Sequence, residues 1–195
     1  MKELILILGG ARSGKSAFAE RLATSRGGGV LFVATATAGD EEMARRIAAH
    51  RVARPAAWRL LEAPVAVADR LAEGGPERVG TVLLDCLTLL VSNLLLAHEA
   101  EGEEGVARRV DAEIDGLLRR FDEDQGAATW LIVSNEVGLG LVPPYPLGRL
   151  FRDLLGRANQ RFAARADRVY LMVAGLPLDI KALAGGPGLP GSAGR

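Results

Sequence analysis

Five short apolar runs recur along the chain at strand length: "LILIL" (4–8), "VLFVAT" (30–35), "TVLLD" (81–85), "TWLIVS" (129–134) and "RVYLMV" (168–173). Most lack the polar alternation of a half-exposed strand, so both faces of these strands are expected to be covered. Stretches of helical character separate them, at about 15–26, 41–51, 64–73, 87–98, 105–123 and 147–165. Strand alternating with helix predicts an α/β fold, a mainly parallel sheet with helices on both faces. Gly27-Gly28-Gly29 supplies the glycine stop of the first helix. The run "EGEEGVARRVDAEIDGLLRRF" is amphipathic and predicts a surface helix. By contrast "LTLLVSNLLLA" (87–97) is apolar nearly all round, so it is buried in its own chain or against another subunit; a subunit interface is the preferred expectation. Three prolines in "GLVPPYPLG" (140–148) predict a rigid loop. The tail "AGGPGLPGSAGR" (184–195) has the composition of a flexible terminus.

Composition narrows this picture. At 195 residues and 49% hydrophobic, the chain can bury one substantial core, expected over 1–183 with the tail outside it. Lysine plus arginine balance aspartate plus glutamate at 24 each, a net charge of zero that gives no support to a nucleic-acid or membrane-surface partner. Cys86 is the single cysteine, which excludes an intrachain disulfide and makes a reducing cytoplasm the natural location. Its thiol is expected to be buried rather than reactive. The apolar start is too short for a membrane span and runs at once into a glycine-rich turn, so a soluble protein without a membrane span is expected.

"GGARSGKS", Gly9, Gly10, Ala11, Arg12, Ser13, Gly14, Lys15 and Ser16, matches G-x-x-x-x-G-K-[ST] directly after a hydrophobic strand and before a helix. The glycines let the backbone wrap phosphate oxygens, and amides at the helix N-terminus point at the anion. Lys15 is suited to neutralise β and γ phosphates and Ser16 to ligate Mg²⁺. A carboxylate at the end of "TVLLD", Asp85, can complete the Mg²⁺ shell or cap the next helix. Thr35, Ser134, Asn135 and Glu136 stand at other strand exits, where α/β proteins bind ligands or where such residues satisfy loop backbone.

"EEMARRIAAHRVARP" (41–55) holds His50, one of only two histidines, among Arg45, Arg46, Arg51 and Arg54. Two readings stand side by side. The imidazole sits on the solvated face of a basic helix, or the neighbouring cations keep it neutral and it serves as a nucleophile toward a phosphate they attract.

The phosphate loop alone leaves the enzyme class open. Switch GTPases need D-x-x-G directly after a strand and an N-K-x-D motif, and neither appears; 147–165 is a poor fit to the arginine-rich lid of nucleoside monophosphate kinases. Taken together, "GGARSGKS", "ATATAGDEEMARRIAAHR…RP..W", "LLDCLT…SNLL", "SNEVGLGLVP" and "FRDLLGRANQ" closely resemble the bifunctional adenosylcobinamide kinase/adenosylcobinamide-phosphate guanylyltransferase family of cobalamin biosynthesis, from residue 3 to about 182. The resemblance implies a RecA-like P-loop fold, a homo-oligomer with a trimer among the candidates, and two reactions. ATP or GTP phosphorylates adenosylcobinamide, and GTP then donates GMP to adenosylcobinamide-phosphate. It implies that His50 takes GMP covalently. It also implies GTP contacts from Gly9 to Ser16, from Ala34, Thr35 and Ala36, from Arg51, Val52, Ala53 and Arg54, and from Glu62 and Asp85. Either carboxylate suits guanine N1–H and its amino group, and Arg149, Arg152, Arg157 and Asn159 are candidates for phosphate or corrinoid contact or for a solvated helix face.

A straight helix over 41–51, rising about 1.5 Å per residue, would leave His50 roughly 15 Å from the phosphate loop, so closure on GTP binding or reach into a neighbouring subunit is expected. The rivals are a single-function small-molecule kinase and a RecA-like ATP-dependent assembly module.

Overall fold

Strand β1 (Glu3–Gly9) runs into the phosphate loop, and helix α1 (Lys15–Arg26) leaves it. The chain was studied as a computed structural model, which describes residues 2–37, 41, 45, 48, 55–73 and 79–184. Strands β2 (Val30–Ala34) and β3 (Arg59–Glu62) follow, then helix α2 (Val67–Glu73), β4 (Thr81–Asp85) and helices α3 (Leu87–Ala97) and α4 (Gly102–Glu123). The chain continues with β5 (Thr129–Val133), α5 (Pro146–Arg165), β6 (Arg168–Val173), β7 (Leu176–Asp179) and α6 (Ile180–Ala184).

Among the described residues seven strands form one sheet in the order β3-β2-β4-β5-β1-β6-β7. Every neighbouring pair is parallel except the β6–β7 hairpin. Parallel pairing forces crossovers, and the C-terminal ends of β1 to β6 therefore share one edge. Five of these strands answer to the apolar runs. β3 and β7 do not, because they are four-residue edge strands whose residues are mostly exposed, and an edge strand needs no apolar run.

The core divides into two layers. On one face α2 to α5 pack Val67, Leu90, Leu117, Phe121 and Phe162 against Leu4, Leu6, Leu84 and Trp130. On the other, α1 lays Ala19 and Ala23 against Ile5, Ile7, Phe32, Val133 and Met172. Helix α3 is apolar because its own chain covers it: Leu87, Leu90, Val91, Leu94 and Leu95 are buried, and Leu96 alone of its leucines is well exposed. The expected subunit interface is thus not needed to explain its composition. Among the described residues no helix is long and apolar enough to cross a membrane.

Candidate active site

At the C-terminal edge of the sheet opens a cavity of about 570 Å³. Its wall on one side is the phosphate loop and the start of α1: Ala11, Arg12, Ser13, Gly14, Lys15, Ser16 and Ala17. The facing wall comes from the exits of β2, β3, β4 and β5, with Ala34, Ala36, Glu62, Asp85, Cys86 and Asn135, while Phe32, Thr88, Leu89 and Val133 complete the lining. Of the residues expected to touch nucleotide, Ala11 to Ser16, Ala34, Ala36, Glu62 and Asp85 therefore meet in one concavity.

Gly9 and Gly14 explain the loop's course. Gly9 has φ 152°, and a Cβ there would stand 2.6 Å from Ser13 Oγ and 2.7 Å from the Met172 carbonyl oxygen. Gly14 has φ 93° and passes within 3.2 Å of the Gly175 Cα in the β6–β7 turn, measured from where its Cβ would be. Only glycine takes both positions without displacing backbone. The Gly175 N–H donates to the Ser13 carbonyl at 3.0 Å, so the hairpin braces the loop from outside the cavity.

Lys15 is buried, and its Nζ donates to the Gly10 carbonyl at 2.6 Å. Burial holds its ammonium below the usual lysine range, opposed by the charges of Cys86, as thiolate, and of Asp85. Burial and the neighbouring Asp85 push the Cys86 thiol up to about 11. Cys86 is therefore a neutral thiol near pH 7, as its expected inertness requires, and only Asp85 attracts Lys15 there.

The strand exits are tied to one another by side chains. Thr35, fully buried, donates its hydroxyl to the Cys86 carbonyl at 2.7 Å and accepts the Cys86 N–H at 2.8 Å. Asn93 of α3 donates to the carbonyls of Thr35 and Pro64 at 2.8 and 2.9 Å. The Thr35 side chain is thus committed to the scaffold, and Ala34 and Ala36 are the residues of that turn that line the cavity. Neither Gly9 nor Gly10 lines it; both shape the loop.

The arginines of α5 are engaged elsewhere. Arg149 donates to the carbonyls of Pro143 and Pro144 at 3.1 and 2.9 Å, which secures the proline loop. Arg152 pairs with Asp153 at 3.0 Å and Arg157 with Asp111 at 4.0 Å. Asn159 is 4% exposed, so the solvated helix face does not apply to it. None of the four lines the cavity. Glu41, Arg45 and Ala48 are helical and exposed, whereas His50 and the expected contacts Arg51, Val52, Ala53 and Arg54 lie outside the described residues, as does the tail from 185.

A family profile described as CobU, cobinamide kinase / cobinamide phosphate guanyltransferase, matches residues 5–180. The chain is 49% identical over 176 residues to the bifunctional adenosylcobalamin biosynthesis protein CobP of Pseudomonas aeruginosa, covering 90% of this chain and 96% of that protein. It is 41% identical over 184 residues to the bifunctional adenosylcobalamin biosynthesis protein CobU of Salmonella typhimurium, covering 91% and 99%. Among solved structures, the RadB recombinase superposes with a TM-score of 0.50 over 87% of this chain and 73% of that one, at 13% identity. That likeness speaks for the fold alone and agrees with a RecA-like P-loop sheet. With residues 5–180 matched and the phosphate loop formed, the chain belongs to the cobinamide kinase / cobinamide phosphate guanyltransferase family.

Proposed function

We propose that one phosphate cradle serves two reactions in turn: phosphorylation of adenosylcobinamide by ATP or GTP, then transfer of GMP from GTP to adenosylcobinamide-phosphate. The products of the second step are adenosylcobinamide-GDP and pyrophosphate. The observation that carries this reading is the convergence of Lys15 and Ser16, Glu62, and Asp85, from three separate segments, on a single cavity of nucleotide size.

In the first reaction the substrate hydroxyl attacks the γ-phosphorus, the bond to the β–γ bridging oxygen breaks, and the hydroxyl proton is lost. Lys15, once turned from the Gly10 carbonyl to the phosphates, balances the charge on the transferred group and the diphosphate that leaves. In the second, a neutral His50 nitrogen attacks the α-phosphorus and pyrophosphate departs, restrained by the loop amides and Lys15. The phosphate oxygen of adenosylcobinamide-phosphate then attacks the same phosphorus, the P–N bond breaks, and His50 is restored. Arg51 to Arg54 would keep the imidazole neutral and draw in the acceptor's phosphate.

Ser16 and Asp85 both line the cavity and offer the hard oxygen donors that Mg²⁺ takes alongside phosphate oxygens and water. When bound there, Mg²⁺ would supply charge neutralisation. Glu62, at the C-terminal end of β3, the strand farthest from β1 in the sheet, suits the guanine edge and would separate GTP from ATP in the second reaction. The protein is expected to work in the cytoplasm as a homo-oligomer.

The test is to assay both half-reactions in two variants. Lys15→Ala should lower both, whereas His50→Ala should abolish guanylyl transfer and leave phosphorylation of adenosylcobinamide. Loss of one half-reaction only on Lys15→Ala would contradict the shared cradle. Full guanylyl transfer by His50→Ala would favour a mechanism without a protein-bound GMP, and a chain that phosphorylates but never transfers GMP would be a single-function kinase.

A further inference from the structure

Residue 135 is held from both sides by a buried polar network. The Ser134 hydroxyl donates to Asn159 Oδ1 at 2.7 Å, and Asn159 Nδ2 donates to the Asn135 carbonyl at 3.0 Å. The Asn135 N–H donates to the Thr88 hydroxyl at 2.7 Å. Ser134, Asn159 and Thr88 are all buried. Buried polar groups persist where their hydrogen bonds are made, and this chain of donors and acceptors is satisfied through its length. Both backbone polar groups of one loop residue are thus fastened by side chains from two different helices, α3 and α5.

What this arrangement leaves to act is the Asn135 carboxamide. It lines the cavity and makes no hydrogen bond to another described residue. The sheet fixes its location. Val133 pairs with Ile7 on one side and Asp85 on the other. Beyond the strand, the N–H groups of Ser134 and Glu136 donate to the carbonyls of Ile7 and Gly9 at 2.9 and 3.1 Å. Asn135 therefore lies in register with the root of the phosphate loop, between β1, which leads to Lys15 and Ser16, and β4, which ends in Asp85.

We propose that Asn135 recognises the terminal phosphoryl group: its Nδ2–H donates to an oxygen of that group, so that the cavity distinguishes a nucleoside triphosphate from a diphosphate. Thr88 and Asn159 are positioning residues that aim it. The inference rests on the reading that the cavity takes a nucleoside triphosphate. A carboxamide suits the place because it donates to an anion without adding charge to a site that already holds Lys15, and bonds to charged acceptors are stronger than neutral ones. The carboxylate of Asp85 on the adjoining strand cannot donate to the same oxygen.

The experiment is calorimetric binding of β,γ-imido GTP and of GDP, with Mg²⁺, to the full chain in a His50→Ala background that blocks guanylyl transfer. Asn135→Ala should weaken the triphosphate analogue about tenfold or more while changing GDP affinity less than about twofold. Asn135→Asp should weaken the analogue further by repulsion, and guards against a misfolded alanine variant. Thr88→Val should reproduce part of the loss and Thr88→Ser should restore it. Equal weakening of both nucleotides, or none, would overturn the assignment, as would a parent protein that binds neither. Because no turnover is read, a chain that transfers neither group yet keeps the Asn135-dependent preference would refute the proposed reactions and leave this inference standing.

Discussion

The two faces of the sheet are built from different materials. Toward α2–α5 lie the bulky buried side chains, among them Phe121, Phe162, Ile114 and Leu117. Toward α1 the helix presents Ala19 and Ala23, and two strand residues of that smaller cluster, Phe32 and Val133, also line the cavity. The first face holds most of the apolar burial that stabilises the fold. The second uses small residues so that α1 can approach the strands closely and bring its N-terminus, with Lys15 and Ser16, down on the strand ends. Stability and chemistry are thus separable to a first approximation, and substitutions can test the separation.

The largest effect should come from the bulky face. Phe121→Ala leaves a cavity between α4 and the sheet, where Phe121 packs edge-on against Trp130 with ring centroids 5.9 Å apart. It should lower unfolding free energy by about 3–5 kcal/mol in denaturant titrations while kcat of the surviving folded protein stays near wild type. Next, Lys15→Ala should do the reverse: a fall of roughly 10²–10³ in kcat with a melting temperature unchanged or slightly raised, because a partly desolvated ammonium is removed. A loss of stability comparable to that of Phe121→Ala would break the division.

On the α1 face, Ala19→Leu overpacks the contact with the sheet and should cost about 1–3 kcal/mol. Unlike Phe121→Ala, it should also raise KM for nucleotide, because the helix end that carries the phosphate loop is displaced. The smallest effect concerns Cys86. Its thiol is raised from 9.0 to about 11, so the folded state keeps a proton that the unfolded chain loses. That contribution is present below pH 9.0 and stability declines as pH rises from 9.0 to about 11. Alkylation of native protein near pH 8 should accordingly be much slower than that of the unfolded chain, and rapid alkylation would contradict the raised value.

The sequence was most legible where one segment carries the whole signal. The phosphate loop is local, and the apolar runs that became β1, β2, β4, β5 and β6 are strands covered on both faces, so their composition announces them. Edge strands β3 and β7 escaped because exposure removes the apolar signal, and Glu62 came into view only through the family resemblance. The knots around Thr35, Cys86 and Asn93, and around Ser134, Asn135 and Asn159, join residues 24 to 58 positions apart, which no periodicity encodes. For the same reason the sequence leaves Asn159 between phosphate or corrinoid contact and a solvated helix face, and does not disclose its buried hydrogen bonds. Helix 87–97 misled in the opposite way: all-round apolarity reports burial but not whether the cover is the chain itself or a neighbour.

The central proposal is that GTP's α-phosphorus is passed to His50. Intact-protein mass spectrometry after incubation with GTP and Mg²⁺ tests it most directly. The account predicts a single guanylyl adduct, discharged by adenosylcobinamide-phosphate, missing from His50→Ala and strongly reduced in Lys15→Ala. An adduct that persists in His50→Ala, or adenosylcobinamide-GDP formed at the wild-type rate by that variant, would contradict it.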